Sequence, residues 1–185
     1  MSRAYRITVK ESLSRHVQVE DGVSSSLELL PILEKDRMRE LLAAELEQRG
    51  FERDGHTAKR AAGKGVTVTV ELETGEVSVT AEGHTDLNLS TERTAAVDSP
   101  TESREQALRQ TAQQALEREA KAEEEALRRQ VTERLEGTLR DLKDELDGVV
   151  NRVTASALKQ RAAELGQVED IHEAPNGGLT VKVRV

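Results

Sequence analysis

The stretch from Thr101 to Leu165 constrains this chain more than any other. TESREQALRQTAQQALEREAKAEEEALRRQVTERLEGTLRDLKDELDGVVNRVTASALKQRAAEL is rich in Ala, Leu, Glu, Arg and Gln and is interrupted only by single glycines at Gly137 and Gly148. Those are strong helix formers, so the segment reads as a long charged helix. Ser99 and Thr101 can each cap it, Pro100 suits an early position, and Glu102 and Glu105 complement the positive helix end. Everything before and after it reads as short strands and one compact helix. The long segment is therefore expected to leave a sheet and return to it.

The first half of this arm is alanine-rich, with Ala107, Leu108, Ala112, Ala115, Ala122 and Ala126. The second half carries Leu127, Val131, Leu135, Leu139, Leu142, Leu146, Val149 and Val153, spaced mostly by four and then alternately by three and four. Such a stripe drifts slowly round a helix and suits a helical hairpin or short coiled coil better than a sustained heptad zipper. Asp147-Gly148 is placed to break or kink it, since a mid-helix glycine costs about 1 kcal/mol relative to alanine. Val149–Leu165 would then be a second helix ended by Gly166.

Composition agrees with an extended element. Charged residues are 34% against 36% hydrophobic, so much of the chain must face water. Aromatics are 1%, with Tyr5 and Phe51 and no Trp, so any core is built from Leu, Val, Ile and Ala. The formal net charge is −8, and the bases are interleaved with acids instead of clustered. That excludes a duplex-binding face and makes nucleic acid no partner. There is no cysteine, hence no disulfide, thiolate nucleophile or cysteine metal site. No apolar run is long enough for membrane insertion and no signal-peptide pattern opens the chain, so a cytoplasmic protein is expected.

Along the body, Tyr5-Arg-Ile-Thr-Val-Lys10 and His16–Glu20 alternate apolar with polar residues and predict two strands in a hairpin across Ser12–Arg15. Ser26–Leu30 is compatible with a third, ending at Pro31. Glu34–Arg49 predicts a helix with Met38, Leu41, Leu42 and Leu46 on one face, closed by a left-handed Gly50. Phe51 then enters a short strand, with Asp54-Gly55 as a turn. Gly65–Glu82 predicts a hairpin turning at Thr74-Gly75, with Val66, Val68, Val70, Val77 and Val79 on the dry face. Thr85–Asp98 is polar and weakly patterned, with Leu87 and Leu89 allowing an edge strand. Val168–Ile171 and Leu179–Val185 predict a closing hairpin across Pro175-Asn-Gly-Gly178 that shares the sheet of the N-terminal strands.

No residues assemble into a recognisable active site. His16, His56, His84 and His172 are scattered and lack partners at metal-ligand spacing, so they read as surface residues. Glu123-Glu124-Glu125 fans out by about 100 degrees per residue on a helix and reads as a solvated face. Ala62-Gly-Lys-Gly65 lacks the spacer, the Lys-Ser/Thr ending and the following helix of a phosphate loop. No Gly-x-Ser-x-Gly elbow is present. The chain is therefore expected to be no enzyme and to hold no cofactor and no metal. The candidate interaction site is the arm stripe, Leu127, Val131, Leu135, Leu139, Leu142, Leu146, Val149 and Val153. Its alternative role is to pack the arm onto its own sheet.

Leu158-Lys-Gln-Arg-Ala-Ala-Glu-Leu-Gly166, Val168-Glu-Asp-Ile171 and Asn176-Gly-Gly-Leu-Thr-Val-Lys-Val183 resemble the end of a small bacterial and plastid domain that closes with a helix, a glycine and a Gly-turn hairpin. Ser2-Arg-Ala-Tyr-Arg-Ile7 and the Leu41–Gly75 region are similar to accessory proteins of the FtsH ternary systems. Those are gene neighbourhoods that pair FtsH-like and MoxR-like AAA+ ATPases with von Willebrand A proteins and small partner domains. The resemblance implies an accessory role and brings no active-site residues.

The resulting expectation is an α+β protein: a small, mainly antiparallel sheet covered by one helix, with a long inserted helical arm. Its organisation would be 1–98 as sheet body, 99–166 as arm and 167–185 as a hairpin returning to the body. The first functional expectation is a non-catalytic adaptor acting by protein–protein contact with an AAA+ ATPase or von Willebrand A component. A self-assembling homo-oligomer, joined through the arm, is the second. An enzyme or metal protein is the third and needs the histidines and acids to converge.

Overall fold

The computed structural model describes residues 5–99, 101–173 and 179–184. The fold is α+β. Its elements in chain order are β1 (Tyr5–Ser26), α1 (Lys35–Glu47), β2 (Glu52–Asp54), β3 (Thr57–Gly63), β4 (Val66–Glu71), β5 (Glu76–Val97), α2 (Glu102–Leu165), β6 (Gln167–Glu173) and β7 (Leu179–Arg184). Five strands form one sheet in the order β1-β5-β4-β3-β2, and β6 pairs with β7 in a separate two-stranded sheet. The chain divides into two compact units, Met1–Glu20 with Glu82–Glu133 and Asp21–Ala81 with Arg134–Val185.

The second unit holds the larger core. β4 and β5 pair antiparallel with Val66 opposite Ala81, Val68 opposite Val79 and Val70 opposite Val77, all six buried. Thr67, Thr69, Ser78 and Thr80 occupy the other face, as the period of two requires. Helix α1 buries Met38, Leu42, Ala43 and Leu46. It ends where Gly50 adopts φ 80°. There the Phe51 N–H donates to the Leu46 carbonyl and the Gly50 N–H to that of Glu47, satisfying the last turn. From α2 this unit buries Leu135, Leu142, Leu146, Val149, Val153, Ala157 and Ala162.

β3 is a strand the sequence did not announce. Thr57-Ala-Lys-Arg-Ala-Ala-Gly63 has one β-branched residue, and it is held by pairing on both sides, to β2 and to β4. Ala62-Gly-Lys-Gly65 closes β3 and turns it into β4, the connection itself being Lys64-Gly65, with Gly63, Lys64 and Gly65 all at positive φ. The final hairpin forms, yet it does not join the five-stranded sheet as the sequence suggested. Its turn residues, 174–178, lie outside the described residues, as do Ser2–Ala4, Pro100 and Val185.

The first unit is a two-stranded ribbon with part of α2. The hairpin expected across Ser12–Arg15 is absent, because β1 runs unbroken for 22 residues and β5 for another 22. Side chains report one constant antiparallel register: Thr8 meets Thr94 at 3.1 Å, Lys10 meets Glu92 at 3.1 Å, Ser14 meets Asn88 at 3.0 Å and His16 meets Asp86 at 2.7 Å. On the opposite, helix-facing side Val9, Val17, Val19 and Leu87 are buried, and α2 contributes buried Ala112, Leu116, Ala120 and Val131. Gly83 permits the close approach, since a Cβ there would lie 2.6 Å from Val131 Cγ2 and 3.1 Å from Leu127 Cδ1.

α2 is a single helix of 64 residues, opened by the Thr101 carbonyl, which accepts from the Arg104 and Glu105 N–H groups. It is neither a helical hairpin nor broken at Gly148. At Gly148 a Cβ would stand 3.3 Å from an Arg49 guanidinium nitrogen, so this glycine makes room for a side chain of α1's exit. Arg49 in turn donates to the Glu145 carbonyl at 3.1 Å. That contact and the surrounding burial outweigh a glycine penalty of about 1 kcal/mol.

Candidate interaction surface

The arm stripe is the natural starting point. Val131, Leu135, Leu142, Leu146, Val149 and Val153 are buried, with Val131 and Val149 at 0% exposure, while Leu127 and Leu139 are half-buried. Most of the stripe thus holds α2 onto its own sheet, through Val131 in the first unit and the later members in the second. Leu139 differs. It opens on a groove of about 310 Å³ in the second unit, lined also by Val23, Leu27, Val77, Leu142 and Leu146, with Lys143 and Asp147 among its polar residues. Val23 is 44% exposed, so apolar surface continues out of the groove onto β1.

A charged cluster anchors α2 in the second unit. The Arg60 guanidinium donates to both Glu145 carboxylate oxygens at 2.6 and 2.7 Å and to the Arg49 carbonyl at 2.9 Å. It also stacks 4.4 Å above the centre of the Phe51 ring. The hydrogen bonds from Arg60 hold the Glu145 carboxyl below its ordinary value, against the opposing effect of partial burial. Glu45 accepts from Arg49 at 3.2 Å and from Arg152 at 3.4 Å. Every group here has a partner on another element, which marks the cluster as a fastening of α1, β3 and α2.

The histidines do not all stay apart. His16 and His84 stack on the open face of the ribbon with ring centres 6.2 Å apart, and His16 bonds Asp86. His56 pairs with Glu73 at 3.0 Å. The strand register that unites His16, His84 and Asp86 spans 70 residues of sequence and left no local signal. Among the described residues no group of three or more His, Cys, Asp or Glu could hold a metal ion. No helix among them is long and apolar enough to cross a membrane.

The family model for FtsH ternary system domain X5 matches residues 1–185, the whole chain. The chain belongs to that family. Searches of curated proteins and of solved structures found no match. Membership in the X5 family places the chain in an FtsH ternary system, a multi-protein setting, which agrees with the resemblance carried by its two ends.

Proposed function

We propose that this X5 domain is a non-catalytic accessory subunit, an adaptor that works in the cytoplasm by protein–protein contact within an AAA+ ATPase-associated assembly. The family match over residues 1–185 carries this reading. The partner is another protein of the system, an AAA+ ATPase or a von Willebrand A component. Of the stripe Leu127–Val153, the part offered to that partner is the groove at Leu139, where the apolar side chains are incompletely covered. An apolar centre rimmed by Lys143 and Asp147 is the usual composition of a contact patch.

The test is binding of the purified chain to each purified AAA+ and von Willebrand A component, with wild type and Leu139→Glu compared. We expect one component to bind and the substitution to weaken it at least about tenfold, with an unchanged melting curve. Binding to none of the components overturns the accessory reading. Undiminished binding by Leu139→Glu leaves that reading and removes the groove from it.

A further inference from the structure

β1 is an edge strand 22 residues long, and among the described residues it pairs with β5 alone. Long open edges are templates for another strand, and natural chains blunt them with proline, bulges, charged side chains, inward-pointing charges or very short strands. β1 contains no proline, its inward charges Glu11 and Arg15 are engaged by Gln113 and Glu117 of α2, and its register to β5 holds constant from Thr8 to His16. The opposite sheet edge, β2, is only three residues long. Where the chain leaves β1, Leu27 N–H donates to the Gly75 carbonyl at 2.8 Å in that same register. Odd-numbered residues of β1 therefore bond to β5, and the N–H and C=O groups of even-numbered residues point outward.

We propose that this edge is a homodimer interface: β1 pairs antiparallel with the β1 of a second copy about a two-fold axis at Leu13. The sequence of the strand is self-complementary in that register. On the helix-facing side Ile7 meets Val19, Val9 meets Val17, Glu11 meets Arg15 and Leu13 meets Leu13. On the open face Arg6 meets Glu20, Thr8 meets Gln18, Lys10 meets His16 and Ser12 meets Ser14. From Arg6 to Glu20 every apolar residue faces an apolar one, and the two acid–base pairs are opposite in sign. Lys10 and His16, which face each other, are each already paired with a β5 carboxylate, Glu92 and Asp86.

The neighbouring registers fail. A slip one way sets Glu11 against Leu13 and Arg15 against Val9; a slip the other way sets Glu11 against Val17 and Arg15 against Leu13. The register also pairs even residues with even, so the outward backbone groups meet as hydrogen-bonded pairs. Ile7 and Leu13 are only half-buried within one copy, so a second strand gains apolar area there. A two-fold axis through the strand is the closed symmetry such a surface allows. This inference does not rest on the accessory reading, and either can fail alone.

Four measurements test it. Sedimentation of the wild type should show a concentration-dependent dimer; a monomer at every concentration up to about 100 µM overturns the proposal. Ser12→Pro removes an outward N–H without touching the β1–β5 ladder, so it should be folded and monomeric. If it is folded and still dimeric, the edge is not the interface. Should that variant fail to fold, a disulfide decides, because the chain has no other cysteine.

Leu13→Cys places two thiols across a non-hydrogen-bonded pair about 4.5 Å apart at Cα, and should oxidise to a covalent dimer. Val9→Cys puts its thiols far apart and should not; equal crosslinking of the two overturns the register. Arg6→Glu should weaken the dimer roughly tenfold, and adding Glu20→Arg should restore it. A double variant no tighter than the single one rejects the Arg6–Glu20 pairing.

Discussion

The two compact units draw on the same three long elements, β1, β5 and α2, but they are held differently. In Asp21–Ala81 with Arg134–Val185, extra strands and α1 allow Leu42, Leu46, Phe51, Val68 and Val70 to be buried together with Leu135, Val149 and Val153 of α2. In Met1–Glu20 with Glu82–Glu133, two strands and one helix share a thinner interface, and two of the buried helix positions are alanines, Ala112 and Ala120. A two-stranded ribbon is marginal in water without a helix against it. Both units carry exposed polar pairs; the second adds the larger apolar core and the partly buried Arg60–Glu145 pair.

The largest effect should come from Leu135→Glu. Leu135 is 2% exposed, and an unpaired carboxylate there should cost at least about 3 kcal/mol and unfold the second unit. Hydrogen exchange reads it directly: protection in β4 should vanish, while Leu139→Glu leaves it intact. If both variants behave alike, the stripe does not divide into a buried part and an open one.

Gly83→Ala probes the other unit. The added methyl meets Val131 and Leu127, so overpacking should cost about 1–3 kcal/mol. Exchange should rise first in β1 and in the later half of β5. Equal loss of protection in β4 would show that the two units unfold as one, and the contrast between them would fail.

Glu145→Gln removes half of the bidentate pair with Arg60 and should cost about 1–2 kcal/mol at neutral pH. The Glu145 carboxyl is held below its ordinary value by Arg60, so its contribution is full above the unfolded-state pKa of about 4.3. It is lost as pH falls through the lower folded-state value. The stability gap between wild type and Glu145→Gln should therefore shrink in acid below about pH 4. A gap constant down to pH 2 would contradict the assigned cause.

The smallest effect is expected from Arg15→Ala. Arg15 bonds Glu117 at 2.9 and 3.1 Å, but both side chains are over a third exposed, so stability should change by no more than about 1 kcal/mol. A larger loss, measured by denaturant titration, would show that the thin unit depends on its ion pairs more than on burial.

Much of the local structure was legible because its causes are local. Helix α1 with its Gly50 exit, the β4–β5 hairpin at Gly75 and the long helix all follow from periodicity and turn chemistry within a few residues. β1 was misread as two strands because Glu11 and Arg15 fall on its helix-facing phase. Their partners, Gln113 at 3.4 Å and Glu117 at 2.9 Å, are each 102 residues away. β5 looked weak beyond Ala81 because its open face is polar throughout, from Glu82 through His84, Asp86 and Asn88 to Glu92. Gly148 looked like a break because nothing near it in sequence reveals the Arg49 guanidinium that occupies its side.

By itself the sequence determined that α1 and α2 are helical, that β4, the start of β5, β6 and β7 are extended, and which face of α1 and of the β4–β5 hairpin is apolar, since these follow from a period of 3.6 or 2 read over neighbouring residues. Only the tertiary structure decided what covers each face. It turned most of the Leu127–Val153 stripe into core, left Leu139 on a groove, and set His16 beside His84. A helix stripe has the same pattern whether it meets its own sheet or another molecule, because apolar burial is non-directional and carries no mark of its partner.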